Sequence, residues 1–99
     1  MKKWKAWRSE YANTKFDVII IGSGISGLTA GVLLSTYGKK VLVLEKHFKA
    51  GGWTHTFRRE NYEWDVGIHY IGEVHNHWSP VRKLFDLVSN NNLEWHKMD

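Results

Sequence analysis

The fold of this chain is decided by residues 17–45, which read DVIIIGSGISGLTAGVLLSTYGKKVLVLE. The segment opens with a β-branched apolar run at residues 17–21, which is typical of a strand buried on both faces in a parallel sheet. Residues 25–37 then favour a helix that stops at Gly38, and residues 41–45 read as a second buried strand. The length of the crossover fits one right-handed βαβ unit, so the sequence predicts an α/β fold.

Three glycines lie between the first strand and the helix in the pattern GxGxxG, residues 22–27. Gly22 permits a tight turn, Gly24 lets the main chain approach a pyrophosphate, and Gly27 lets the helix pack closely on the strands. Use of the glycines for a tight turn alone would not explain the third glycine. The pattern therefore predicts a Rossmann-type dinucleotide-binding unit.

Two further features agree with that prediction. The amides of Gly24, Ile25 and Ser26 would lie at the helix N-terminus, where free N–H groups and the helix dipole favour phosphate. Glu45 ends the second strand and would accept hydrogen bonds from the ribose hydroxyls of an adenosine. Because FAD and NAD share an ADP half, these residues leave the choice of cofactor open. An NAD-binding dehydrogenase would place a helix directly after Glu45.

Composition sets the limits of the remaining possibilities. The chain has 99 residues, 42% of them hydrophobic and 24% charged, so it is expected to fold as one small domain. It has no cysteine, which excludes disulfides and thiol catalysis. No apolar run approaches the roughly 20 residues of a membrane-spanning helix, so no transmembrane segment is expected.

The positive charge is concentrated in residues 1–15, which carry five basic side chains and one acidic one, whereas residues 16–99 carry nine of each. A nucleic-acid partner is therefore not expected, because the body has no excess of basic residues. The arm places Trp4, Trp7 and Tyr11 at helical spacing, which suits peripheral contact with a membrane; a solvated tail is the alternative. It lacks the apolar stretch of a secretory signal, so a cytoplasmic or peripheral membrane location is expected.

Residues 53–64 predict a short hairpin that turns near Glu60 and Asn61. A second helix is predicted after Ser79, with Pro80 in its first turn and one apolar stripe, and it ends at residues 90–92. Residues 93–97 alternate like a strand. We treat residues 1–15 as a basic arm and residues 16–99 as the N-terminal, incomplete part of a Rossmann domain.

Other chemistries are less well supported by the sequence. His75 and His77 could offer two imidazoles to a metal, but no third ligand is marked by spacing, so no metal site is predicted. Ser23 and Ser26 lack a histidine and an acid at useful spacing, which disfavours a hydrolase. Three tryptophans are interpreted as core or contact residues, because no basic groove accompanies them: Trp64, Trp78 and Trp95.

Residues 17–72 resemble the start of the retinol saturase, carotenoid isomerase and phytoene desaturase group of flavoproteins. The resemblance rests on DVIIIGSGISGLTAGVLLSTYGKKVLVLEKH at residues 17–47, KAGGWTHTF at residues 49–57 and WDVGIHYIG at residues 64–72. Many flavoproteins share the first block, whereas the three blocks together are much more specific. Trp53 departs from the pattern, since a small residue or cysteine is expected after the glycine pair.

This resemblance implies FAD as the cofactor. It implies contacts of Ser23, Gly24, Ile25 and Ser26 with the pyrophosphate, and of Glu45 with the adenosine ribose. It also implies that Lys46 lies beside the adenosine and that Gly51 and Gly52 pass the pyrophosphate and ribityl chain. A further four residues would approach the flavin or a substrate channel: His55, Asp65, Gly67 and His69. No residue of this segment is assigned as a catalytic acid or base.

The resemblance further implies that this chain is the N-terminal piece of a larger, two-domain FAD-dependent oxidoreductase. The expected substrate is a polyene or retinoid-like lipid, whose carbon–carbon double bonds are saturated, desaturated or isomerised. The segment alone is expected to be inactive. The alternative is a stand-alone nucleotide-binding or interaction module without catalysis.

Overall fold

A computed structural model describes residues 6–99 of the chain, and every structural statement below refers to these residues. The main elements are strand β1 (Val18–Ile21), helix α1 (Ile25–Thr36), strand β2 (Val41–Leu44), strands β3 (Thr56–Arg59) and β4 (Tyr62–Asp65), and helix α2 (Pro80–Ser89). Two short 3₁₀ turns cover Ser9–Asn13 and Gly52–Thr54. The elements form a mixed α/β structure, as predicted.

The βαβ unit is present at the predicted place. Strands β1 and β2 are parallel, with Val18 opposite Val41 and Ile21 opposite Leu44. Asp17 fixes the start of the pair, since its N–H donates to the Lys40 carbonyl over 2.9 Å and its carboxylate accepts from the Lys40 N–H over 2.7 Å. Strand β1, helix α1 and strand β2 are each one residue shorter, at one end, than the sequence pattern predicted.

Glycine lets α1 lie directly on the two strands. A Cβ at Gly27 would collide with the carbonyl group of Gly22, and a Cβ at Gly31 would lie 3.5 Å from Val43 Cγ2 and 3.6 Å from Ile20 Cδ1. The close-packing role predicted for Gly27 is thereby confirmed. Helix α1 ends as predicted: Gly38 has φ +76°, and the Lys39 N–H donates to the Leu34 carbonyl over 3.0 Å.

The hairpin predicted between residues 53 and 64 is also confirmed. Strands β3 and β4 are antiparallel, with Thr56 opposite Asp65 and Arg59 opposite Tyr62. Glu60, in the turn, has φ +54°. Arg58 on β3 donates from Nε to Glu63 on β4 over 2.6 Å, and Thr56 Oγ1 donates to the same carboxylate over 2.9 Å. All of these side chains except Thr56 are exposed, so cross-strand hydrogen bonds hold the hairpin more than burial does.

Helix α2 begins where the sequence predicted. Ser79 Oγ accepts the Arg82 N–H over 3.0 Å, and Pro80 occupies the first turn, where its missing N–H costs nothing. The helix ends at Asn90, which has φ +53°. Arg82 holds the preceding loop to the helix, because it pairs with Asp86 over 2.9 Å and donates from an Nη to the Val74 carbonyl over 2.9 Å.

The prediction of a strand at residues 93–97 was wrong. The segment has no regular structure, and Trp95 instead meets Phe85 of α2 edge-to-face, with ring centroids 5.3 Å apart. A strand needs a neighbouring edge to pair with, and within residues 6–99 none lies beside this segment. Residues 93–97 instead pack against α2 through the contact of Trp95 with Phe85.

The structure leaves much apolar surface uncovered. The accessible surface is 9006 Å², whereas a compact protein of this mass exposes about 5,800 Å². Among residues 6–99, Val74 is the one large apolar side chain that is buried, and Ile21 of β1 is 89% exposed. A two-stranded sheet with one helix covers one face of each strand and leaves the other faces open.

The N-terminal arm is described from residue 6 onwards. Trp7 and Tyr11 meet edge-to-face with centroids 5.9 Å apart, around the 3₁₀ turn Ser9–Asn13. Trp4, the third aromatic residue of the predicted membrane-facing side, lies outside the described residues. Among the helices of residues 6–99, none combines the length and apolar character that a bilayer crossing requires.

Candidate functional site

An open cleft of about 440 Å³ lies at the carboxyl end of β1, where the chain turns into α1. Main chain is accessible in the cleft, because five of its lining residues are glycines: Gly22, Gly24, Gly27, Gly51 and Gly52. Its side walls come from Ile21, Ile25, Trp53, Thr54 and Ile68. The carboxyl edge of a parallel sheet is where open α/β folds bind ligands.

The first turn of α1 points free donors into this cleft. Gly24 is the N-cap and has no side chain to satisfy the amides that follow it. The first intrahelical hydrogen bond runs from the Leu28 N–H to the Gly24 carbonyl over 3.0 Å, which leaves the N–H groups of Ile25, Ser26 and Gly27 without a protein acceptor in the described part of the chain. Such a turn is suited to an anionic group.

The space in front of Gly24 is open. A Cβ built on Gly24 would meet no atom within 4 Å, although its φ of −65° is available to any residue. A Cβ on Gly52, on the facing loop, would come within 3.2 Å of Gly24 Cα, so the two loops approach each other main chain to main chain. The two loops thus touch at this point, and the open space in front of Gly24 is where a diphosphate would meet bare main chain.

The second loop is shaped by backbone geometry that favours glycine. Gly51 has φ +113° and Gly52 has φ +57°. The Gly51 N–H donates to the Ser23 carbonyl over 2.9 Å, which ties this loop to the β1–α1 turn. Thr54 Oγ1 donates back to the Gly51 carbonyl over 2.6 Å and closes the turn. The sequence identified this glycine pair only through the family resemblance.

Glu45 reaches back from the end of β2 to the first glycine loop. Its Oε2 accepts the Ser23 N–H over 2.9 Å and the Ser23 hydroxyl over 2.6 Å, and its Oε1 accepts the His47 N–H over 2.9 Å. These hydrogen bonds, that of the Ser23 hydroxyl above all, lower the pKa of Glu45 from 4.5 to about 2. The carboxylate is therefore ionised and held in place beside the cleft at neutral pH.

Ser23 occupies an unexpected position. Its side chain is completely buried, at 0% exposure, and both its N–H and its hydroxyl are directed at Glu45. The contact with a pyrophosphate that the resemblance implies for Ser23 stays a prediction. The sequence analysis missed the contact between Ser23 and Glu45, for which the only available signal was a hydroxyl residue between the first two glycines.

Four other predicted residues are not among those that line the cleft: Lys46, His55, Asp65 and His69. Lys46 follows Glu45 and is exposed. His55 Nδ1 lies 2.5 Å from the Gly52 carbonyl oxygen, so this histidine adjoins the second loop. Asp65 and His69 face each other over 3.7 Å outside the cleft lining. The approach of these side chains to a flavin or a substrate stays a prediction.

Trp53, which departs from the resemblance, has an identifiable neighbour. Its indole lies against Gly67, where a Cβ would collide with the ring, and the Gly67 N–H donates to the Trp53 carbonyl over 3.1 Å. The ring is 73% exposed and forms one wall of the cleft. Gly67 therefore makes room for a large residue at a position where the pattern leads one to expect a small one.

The segment after Glu45 bears on the choice between an NAD-binding dehydrogenase and a flavoprotein. Residues 46–51 are non-helical, and the glycine pair follows. An NAD-binding dehydrogenase start would have required a helix at this point, so this observation favours the flavoprotein interpretation.

Within residues 6–99, no group of three histidine, aspartate or glutamate side chains is placed to share a metal ion.

The fold and the cleft define a Rossmann-type nucleotide-binding unit. A comparison with protein families agrees: residues 20–87 match the family described as NAD(P)-binding Rossmann-like domain. The match spans well over half of the chain, and the chain belongs to this family.

Comparison with individual proteins shows which members of this broad family the chain is similar to. The chain is 52% identical over 83 residues to an all-trans-retinol 13,14-reductase from Danio rerio, a match that covers 84% of this chain and 14% of the relative. It is 42% identical over 98 residues to a Danio rerio protein named inactive all-trans-retinol 13,14-reductase, covering 95% of this chain and 16% of that relative. It is also 49% identical over 96 residues to the flavin-containing amine oxidase A of Sus scrofa, covering 93% and 17%.

These similarities confirm the resemblance to the retinol saturase group of flavoproteins that the sequence blocks indicated. The chain spans about one sixth of the length of these relatives or less. Together, the family and the relatives point to a flavin or nucleotide cofactor.

Proposed function

We propose that the protein carrying this segment binds FAD and is an oxidoreductase acting on carbon–carbon double bonds of a polyene, retinoid-like lipid. The observation that carries the proposal is the cleft at the end of β1, which is lined by bare main chain and the first turn of α1, together with the ionised carboxylate of Glu45 that hydrogen-bonds to Ser23 of the same loop. An ADP-containing cofactor combines a diphosphate, which suits the helix amides, with a vicinal diol, which suits the carboxylate.

Each part of the cleft has a role in this proposal. The amides of Gly24, Ile25 and Ser26 bind the diphosphate, and Gly22 and Gly27 allow the turn that presents them. Glu45 accepts hydrogen bonds from the ribose hydroxyls, and its negative charge disfavours a 2′-phosphate. Gly51 and Gly52 form the opposite wall as backbone alone, and Lys46 lies near the adenosine.

When bound, FAD supplies the hydride chemistry, and the described residues bind and orient it. We assign none of them as an acid or base. The polyene substrate is inferred from the relatives named all-trans-retinol 13,14-reductase. The amine oxidase relative shares this segment with the reductases, which suggests that substrate choice is made by residues elsewhere.

We also propose that residues 16–99 are the first part of a larger flavoprotein whose other segments cover the exposed strand faces. The surface area of 9006 Å² and the exposed Ile21 support this interpretation. The basic arm, residues 1–15, would lie on a membrane surface near a lipid substrate.

Cofactor analysis of the purified full-length protein tests the proposal. We expect the visible absorbance of oxidised flavin, release of FAD on heat denaturation, and loss of the polyene absorbance of all-trans-retinol when a reductant is supplied. A colourless protein that releases no FAD would contradict the cofactor assignment. Bound FAD without any change in retinoid or carotenoid substrates would contradict the substrate assignment alone.

A further inference from the structure

The hydroxyl of Ser23 joins the three segments that form the cleft. It donates to Glu45 Oε2 over 2.6 Å and lies 3.3 Å from the Gly51 N–H, which also donates to the Ser23 carbonyl over 2.9 Å. Ser23 thus contacts the end of β2 and the second glycine loop while it belongs to the first. The Ser23 side chain is at 0% exposure, and its hydroxyl donates one hydrogen bond and accepts one inside the protein.

We propose that Ser23 is a positioning residue: its hydroxyl fixes the Glu45 carboxylate for recognition of the adenosine ribose and keeps the Gly51–Gly52 loop in register with Gly24. The inference rests on the proposed function, since it concerns the same cofactor site. It assigns to the Ser23 side chain a role through Glu45, distinct from direct contact with phosphate.

The first half of the inference concerns Glu45. Its side chain leaves the end of β2, is only half-buried, and has several rotatable bonds. Two hydrogen bonds from one residue, Ser23, select a single position for Oε2, and the His47 N–H orients Oε1. Preorganising a carboxylate in this way lowers the entropic cost of binding a diol.

The second half concerns the width of the cleft. Gly52 and Gly24 are so close that a Cβ on Gly52 would lie 3.2 Å from Gly24 Cα. The hydrogen bonds of Ser23 with Gly51, one residue away, set this separation. An alanine at position 23 would keep the main-chain hydrogen bond and would remove the hydroxyl that shares the Gly51 N–H.

The test compares ADP with 2′-deoxy-ADP in the flavin-free form of the full-length protein, by calorimetry. In the wild type we expect loss of the 2′-hydroxyl to weaken binding about tenfold, the effect of one hydrogen bond to a charged group. In Ser23→Ala we expect ADP to bind about fivefold more weakly and the penalty for 2′-deoxy-ADP to shrink to about twofold, because Glu45 is no longer held. Ser35→Ala, on an exposed position late in α1, is the matched control and should change neither value.

An unchanged penalty for 2′-deoxy-ADP in Ser23→Ala would overturn the inference, because a merely structural role would weaken both ligands equally. If Ser23→Ala does not fold, Ser23→Cys gives the same comparison with a weak donor in a similar volume. A wild-type protein that binds neither ADP nor FAD contradicts the proposed function itself. If the wild type binds ADP and Ser23→Ala shows the same penalty for 2′-deoxy-ADP as the wild type, only the proposed role of Ser23 is contradicted.

A second readout is the pH dependence of ADP binding. The Ser23 hydroxyl is the largest cause of the lowered pKa of Glu45, about 2 against 4.5. His47 contributes through its N–H, and neighbouring Lys46 through its main chain. In Ser23→Ala the decline of ADP affinity at acid pH should therefore begin at a higher pH than in the wild type. Superimposable pH profiles would contradict the inference.

Discussion

The βαβ unit, residues 17–45, and the segment that follows it, residues 46–99, are built on different physical terms. In the first, β1, α1 and β2 contact one another through glycine and β-branched residues, and the parallel pairing is continuous. In the second, the hairpin lies mostly exposed and α2 is held by caps and side-chain hydrogen bonds. The candidate cleft is lined by residues of both regions.

The difference shows how this site divides its tasks. The βαβ unit supplies the rigid parts, namely the helix amides and the carboxylate of Glu45. The following segment supplies the Gly51–Gly52 loop, which reaches the unit through the Gly51 N–H and the Ser23 carbonyl. We therefore expect substitutions that disturb the contact between α1 and the sheet to affect folding, and substitutions in the second region to have smaller, local effects.

The largest effect is expected from Gly27→Val. The new side chain would collide with the Gly22 carbonyl and push α1 off the sheet, at a cost of about 3 kcal/mol of unfolding free energy. Thermal unfolding of the full-length protein measures the loss. Gly31→Ala is the matched control: its Cβ meets Val43 at an ordinary 3.5 Å, so stability should be unchanged or slightly higher. Equal melting temperatures for Gly27→Val and wild type would refute the packing described for α1.

A smaller and more local effect is expected from Ser79→Ala in the second region. Ser79 Oγ caps α2 through the Arg82 N–H and donates to the Glu73 carbonyl over 2.9 Å. Its loss should cost about 1 kcal/mol and speed hydrogen exchange in the first turn of α2, without slowing or speeding exchange in α1. Ser89→Ala provides the comparison, because within the described residues the buried Ser89 hydroxyl has no partner and its removal should cost little.

The smallest effect is expected in the hairpin. The Arg58 hydrogen bond lowers the pKa of Glu63 below its ordinary 4.5, with Thr56 adding to the shift. A lowered pKa contributes stability that is present above 4.5 and is lost as the pH falls. Glu63→Gln should thus loosen β3 and β4 slightly at neutral pH and remove this pH dependence, as measured by hydrogen exchange. Because Arg58 and Glu63 are exposed, added salt should speed hydrogen exchange in β3 and β4 much as Glu63→Gln does. Exchange rates in the hairpin that do not change with salt would contradict this contribution of the ion pair.

The same sign applies to Glu45 in the other region. Its lowered pKa means that the ionised carboxylate stabilises the folded state above 4.5, and that this contribution is lost as the pH falls from 4.5 towards about 2. The two carboxylates therefore report the acid response of their two regions separately. NMR titration should find that Glu45 and Glu63 are each protonated at a lower pH than a free glutamate.

The sequence predicted the βαβ unit almost to the residue, because its patterns are local. The β-branched apolar runs, the glycine spacing and the acid at Glu45 each have one structural meaning at that place. The prediction that β1 is buried on both faces was wrong for these residues, since Ile19 and Ile21 are exposed. Ser79 followed by Pro80 predicted the start of α2 for the same reason. The segment at residues 93–97 shows the limit: alternation indicates a strand only where a partner edge exists, and Trp95 packs on Phe85 instead.

The candidate site was predictable as a set of residues but not as a set of contacts. Glycine spacing identified the first loop, whereas the loop at Gly51 depended on family resemblance. The hydrogen bonds of Ser23 with Glu45 join residues that are 22 positions apart and leave no periodic trace in the sequence. Nor could the sequence indicate that Gly67 makes room for Trp53, since that contact depends on how the hairpin returns to the cleft.

Gly24→Val tests the central claim most directly. A Cβ at this position meets no protein atom within 4 Å, and the valine side chain would extend into the space that we assign to the diphosphate. We predict that the full-length variant melts at the wild-type temperature in its flavin-free form but retains no FAD on purification. Wild-type FAD content in a folded Gly24→Val protein would contradict the account.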